Sequence, residues 1–117
     1  MCSECPAGFL LESDNQCFLL EKGNDYLIGR SSEHGKSHRY INLSDRSLDE
    51  EHCMLRILSC EDIFILDLLS DTGVTINGNR IEPLIYERVR PNEEFGIGDS
   101  KAQIKYIGCS ALGQQMS

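Results

Sequence analysis

The sequence predicts an all-β sandwich, on three observations. Short runs rich in aliphatic, β-branched and aromatic residues recur along the chain, CMLRIL and IFILDL being the strongest. Turn-forming clusters separate them: SDN, KGND, NGN, RPNEE and GDSK. No window holds apolar residues at helical spacing over three turns. Many short strands at regular spacing pack as a β-sandwich.

The elements follow in order. Met1 to Ala7 reads as an arm. Gly8 to Glu12 and Gln16 to Leu20 read as strands around a hairpin turn, and Lys22 to Asp25 as a second turn. Tyr26 to Ile28 is a buried strand ended by Gly29. Arg30 to Arg39, rich in Ser, His and Gly, is a loop; Tyr40 to Leu43 is a short alternating strand; Asp45 to Glu51 is a second polar loop. His52 to Leu58 and Ile63 to Leu68 are the two central strands. After a loop at Ser70 to Gly73 come Val74 to Asn77, Arg80 to Ile81, Tyr86 to Val89, Phe95 to Ile97 and Gln103 to Ile107. The chain thus divides into an arm (1–7), one folded domain (8–109) and a flexible tail (110–117).

Bulk properties narrow the function. A chain of 117 residues, 40% hydrophobic and 26% charged, suits one globular domain with its own core. It contains no apolar run long enough to span a bilayer, and its start lacks the basic and apolar regions of a secretory signal. A net charge of −8 speaks against direct nucleic-acid binding, where cationic side chains dominate affinity. Arg30, Lys36, Arg39 and Arg46 nevertheless crowd one stretch with His34 and His38, which reads first as a solvated loop. Of the six cysteines, Cys53 lies in an apolar strand pattern and reads as core. Cys2 and Cys5 have the spacing of half a zinc site, but no second pair follows, so no metal or other cofactor is expected.

The stretch from Asp45 to Gly78, DRSLDEEHCMLRILSCEDIFILDLLSDTGVTING, carries the most specific signal. Ser47 precedes His52 by five positions; a strand follows, then a strand ending in Asp67-Leu68, a turn holding Ser70 and Gly73, and Asn77-Gly78. With Gly29-Arg30 upstream and the Gly98-Asp99 turn downstream, this resembles the forkhead-associated (FHA) domain from Tyr26 to Ile107. The resemblance implies an eleven-stranded β-sandwich whose loops at one end read phosphothreonine peptides. A phosphothreonine brings about −1.5 to −2 charge and three acceptor oxygens, so its seat needs a cation and several donors.

The resemblance assigns Arg30 to the phosphate and makes Gly29, His52 and Asn77 framework residues. The remaining contact positions depart from the family. Its pattern SxS(R/K)xH reads SLDEEH here, placing Asp49 and Glu50 where a hydroxyl and a cation stand. Its pattern xSxNGTxxN reads LSDTGVTIN, placing Thr72 and Val74 at the next two contacts. A net repulsion of about 2–3 kcal/mol lowers affinity roughly 30- to 150-fold, so phosphothreonine peptides are expected to bind weakly or not at all.

The openings FLLESDNQCFLLEKG and IGR resemble those of N-terminal FHA domains in DNA-damage checkpoint mediator scaffolds, insect members in particular. That likeness implies a nuclear, chromosome-associated interaction module that is one domain of a longer protein. Its partners would be itself, as a homodimer, and other proteins of the DNA-damage response. The continuous triplets Phe9-Leu10-Leu11 and Phe18-Leu19-Leu20 place apolar groups on both faces of a sheet, and Phe9, Leu11, Phe18 and Leu20 are the expected dimer contacts. The alternative is a working phosphothreonine reader with an altered pocket. The sequence offers no catalytic triad, metal cluster or phosphate-binding glycine loop, and His52 beside Asp49 reads as a brace, not a catalytic dyad.

Overall fold

The computed structural model describes residues 8–31 and 39–107. The arm, the tail, Cys2, Cys5, Cys109, His34, Lys36 and His38 lie outside the described residues. The strands are β1 (Gly8–Ser13), β2 (Gln16–Leu20), β3 (Asn24–Gly29), β4 (Tyr40–Asn42), β5 (Cys53–Ile57), β6 (Ile63–Asp67), β7 (Val74–Ile76), β8 (Asn79–Arg80), β9 (Glu87–Arg88), β10 (Phe95–Ile97) and β11 (Ser100–Ile107). They form two sheets, ordered β2-β1-β11-β10-β7-β8 and β4-β3-β5-β6-β9, and the described residues contain no helix. The expected all-β sandwich is therefore the observed fold.

Alternation builds the core. In β5 and β6 every second residue is buried: Cys53, Leu55, Ile57, Ile63, Ile65 and Asp67 point inward. Facing them from the other sheet are Phe9, Leu11, Phe95, Ile97 and Ile104. All pairings are antiparallel except β3 with β4, which run parallel and bring Gly29 beside Asn42. That one parallel pair sets Arg30, just after β3, and the start of the β4–β5 loop at the same end of the sandwich. The β7–β8 hairpin closes on Asn77 and Gly78, both at positive φ (55° and 80°), the twist a two-residue hairpin favours.

Two boundaries shift from their expected places by more than one residue. β11 starts at Ser100, three residues earlier than expected, because Ser100 pairs with Ile97 across a turn of only Gly98 and Asp99. β3 starts at Asn24, where pairing to Ile57 begins.

The expected dimer contacts need correction. Phe9 and Leu11 are fully buried and Leu20 is 1% exposed, so all three belong to the chain's own core. Phe18 is half-buried and packs against that core. The physical reason is the strand period: the middle residue of each triplet faces out, not its flanks. Leu10 lies opposite Leu19 on that outer face, where Leu19 is 67% exposed, and Ile107 lies opposite Gly8 nearby.

Candidate functional site

Three loops meet at one end: β3–β4 with Arg30, β4–β5 with Ser47 to Glu50, and β6–β7 with Ser70 to Gly73. Gly29 makes their meeting possible. A Cβ there would sit 2.0 Å from the Glu50 carbonyl oxygen and 2.7 Å from that of Asp49, so only glycine lets the β4–β5 loop lie against β3. The Arg30 amide then donates to the Asp49 carbonyl at 3.0 Å, and the His52 amide to the Ile28 carbonyl at 2.9 Å.

His52 is fully buried and joins two of the loops. Its Nδ1 accepts from the Asp49 amide at 3.2 Å, and its Nε2 lies 2.8 Å from the Gly73 carbonyl oxygen. An amide can only donate and a carbonyl can only accept, so the ring carries its proton on Nε2. Its two bonds run to the two loops that the resemblance expects it to brace. Asn77, expected as framework, is exposed and serves the fold through its turn conformation.

The other loop residues bond inward. The Thr72 hydroxyl donates to the Ser47 carbonyl at 2.8 Å, and Ser47 Oγ accepts from the Asp99 amide at 2.9 Å. The Ser70 hydroxyl donates to Asp67 Oδ1 and accepts from the Gly73 amide at 2.9 Å. Arg80 lies across Gly73, donating to the Ser70 carbonyl at 2.9 Å; a Cβ on Gly73 would meet its Nε at 2.3 Å.

The two acids occupy the place that the resemblance reserves for phosphate donors. Asp49 Oδ2 accepts from the Asp71 amide at 3.0 Å, bridging the β4–β5 and β6–β7 loops. Glu50 Oε2 accepts from the Ser31 hydroxyl at 3.2 Å. The Tyr40 phenol beneath them senses the local field: burial, then the charges of Glu50 and Glu51, push its pKa up to about 12, with Arg30 opposing. Arg30 is exposed, and among the described residues its side chain has no ion-pair partner.

Val74 is not a pocket residue. It is fully buried in β7, opposite Ile97, and its position among the contacts is corrected on that ground. Sequence reasoning also missed Asp45, whose Oδ2 accepts from the Ser100 hydroxyl at 2.5 Å and whose Oδ1 accepts from the Ser47 amide at 2.9 Å. These two bonds, Ser100 first, hold its carboxyl below the usual range. The Asp-x-Ser spacing of a side-chain turn was the available signal. Among the described residues no three His, Cys, Asp or Glu side chains are grouped to hold a metal ion.

Fold and loops together define a binding module: a rigid sandwich presenting the loops of one end to a partner. The profile of the FHA domain matches residues 26–98, and the chain belongs to that family. FHA domains are interaction modules. The chain is similar to the FHA domain of the CT664 protein from Chlamydia trachomatis, with 25% identity, a TM-score of 0.71, and coverage of 84% of this chain and 96% of that one. It is similar also to the FHA domain of an Arabidopsis thaliana hypothetical protein, with 16% identity, a TM-score of 0.73, and coverage of 90% and 89%. A third similar structure is the MEK1 FHA domain in complex with a phosphothreonine peptide of HOP1, with 15% identity, a TM-score of 0.68, and coverage of 86% and 97%. No curated protein matches the chain.

Proposed function

We propose that this domain is a protein–protein interaction module of a nuclear DNA-damage-response scaffold, with its phosphothreonine seat filled by its own acidic side chains. The scaffold assignment rests on the likeness of its apolar opening to checkpoint mediators, the insect mutator protein among them. One observation carries the reading of the seat: Asp49 Oδ2 already accepts the Asp71 amide, so a carboxylate stands where a phosphate would need donors. Ser31 and Thr72, the nearby hydroxyls, donate to Glu50 and to the Ser47 carbonyl. The test is calorimetric titration with a phosphothreonine peptide library. The dissociation constant should be weaker than about 100 μM, and Asp49→Ser with Glu50→Lys and Thr72→Asn should recover binding. Low-micromolar binding by the wild type would sink the reading and favour the alternative, an altered but working reader. That alternative has the exposed guanidinium of Arg30 in its favour.

We further propose that the domain self-associates as a symmetric homodimer through the outer face of β1, β2 and β11. The exposed Leu19, paired with Leu10 and flanked by Ile107, supports this. Twofold closure is the commonest oligomer symmetry, and a stable interface buries at least about 1,000 Å². Sedimentation of unmodified protein should give a dimer that Leu19→Asp dissociates. A monomer at tens of micromolar refutes the dimer, and a dimer indifferent to Leu19→Asp refutes this face.

A further inference from the structure

Arg30 and the start of the β4–β5 loop also line a cleft of about 410 Å³. Gln16, Arg30, Ser31, Asn42, Ser44 and Arg46 shape it. Arg30 and Arg46 are far apart in sequence. The parallel β3–β4 pair unites them, because the Leu43 amide donates to the Gly29 carbonyl at 2.9 Å and sets the start of the β4–β5 loop beside β3. We propose that this cleft binds an acidic segment of a partner protein, a phosphoserine or a pair of neighbouring carboxylates bridging Arg30 and Arg46.

Charge supports it first. The chain carries a net charge of −8, yet among the described residues no Asp or Glu lines this cleft. Both arginines are exposed, and among the described residues neither guanidinium has an ion-pair partner. Guanidinium forks match carboxylate and phosphate oxygens two bonds at a time, so a pair of arginines suits a dianion or two adjacent monoanions.

The floor of the cleft is already satisfied. Asn42 Oδ1 accepts from the Ser31 amide at 3.0 Å, and its Nδ2 donates to the Ser31 carbonyl at 2.6 Å. Gln16 Oε1 accepts from both the amide (3.2 Å) and the hydroxyl (3.1 Å) of Ser44, while its Nε2 donates to the Asn42 carbonyl at 3.4 Å. These bonds clamp the β1–β2 hairpin to β4, so the platform between the arginines is formed before any ligand arrives. The arginines keep their donors for it. A peptide fits better than a nucleic acid, because a long polyanion would meet the acidic remainder of the surface.

The proposal rests on the reading that the phosphothreonine seat is filled, and the experiment separates the two. One flexible peptide is prepared in three forms, with phosphoserine, with two adjacent glutamates, or with unmodified serine, and titrated by fluorescence anisotropy. The two anionic forms should bind and the serine form should not. Arg30→Ala and Arg46→Ala should each weaken binding about tenfold, the scale of one charged hydrogen-bonded contact. Amide shifts should fall on Gln16, Asn42 and Ser44. Wild-type affinity in Arg46→Ala overturns the cleft, as does absence of binding at about 1 mM peptide. Shifts confined to Asp71, Thr72 and Gly73, with loss only in Arg30→Ala, overturn it too and would place the anion in the phosphothreonine seat, refuting the filled-seat reading with it. If only the phosphoserine form binds, phosphate is the ligand; if both bind alike, charge alone suffices. Either pattern upholds the cleft.

Discussion

Replacing His52 with alanine tests the brace that holds the loop end together. The ring is fully buried and makes two hydrogen bonds, one accepted at Nδ1 from the Asp49 amide and one donated from Nε2 to the Gly73 carbonyl. Truncation leaves the Asp49 amide without its partner, while the Gly73 carbonyl keeps the bond it accepts from the Gly98 amide at 2.9 Å. A typical intramolecular bond contributes about 1 kcal/mol net, and a buried orphan costs about 1–3 kcal/mol. The orphan cost therefore belongs to the Asp49 amide, and the Gly73 carbonyl loses one of its two bonds. A cavity of imidazole size adds to it. The sum is about 3 kcal/mol. Urea denaturation followed by circular dichroism reads this directly: the midpoint should fall with little change in slope. Thr72→Val, which removes one bond from an exposed side chain, is the contrast and should cost under about 1 kcal/mol. A His52→Ala midpoint equal to that of the wild type would refute the brace.

Other outcomes follow from the same geometry. Gly29→Ala should destabilise by about 1–3 kcal/mol or more, because its Cβ meets rigid backbone at Glu50 and not a movable side chain; a melting temperature equal to wild type would show that the loop yields freely. Tyr40 has a folded pKa raised above its ordinary value, so its contribution is full below about pH 10 and is lost as pH rises toward about 12; urea midpoints across that window should fall, and Tyr40→Phe should flatten the fall. Asp45 has a depressed pKa, so its contribution is present above the ordinary carboxylate range and is lost as pH falls through the lower folded value; Asp45→Asn should weaken the fold at neutral pH and flatten the acid limb, and an unchanged acid limb would remove Asp45 from it.

Much of the architecture was legible because it is written in short-range terms. The alternation of CMLRI and IFILD needs only the two-residue strand period, and Asn77-Gly78 needs only the positive φ of a tight hairpin. The family resemblance carried by Gly29, Ser47 and His52 implied that the loops would converge. Three matters depended on the tertiary structure. Which face of Phe9-Leu10-Leu11 meets the core depends on the pairing of β1 with β2 and β11, and local pattern cannot choose between two apolar faces. Val74 is core because β7 pairs with β10, which turns it inward, although Asp71 and Thr72 just before it are exposed. Asp49 could be read from sequence only as a lost phosphate donor. Its bond to the amide of Asp71, 22 positions away, exists because His52 and Gly29 hold two loops at one height, a distance that only the closed sandwich sets.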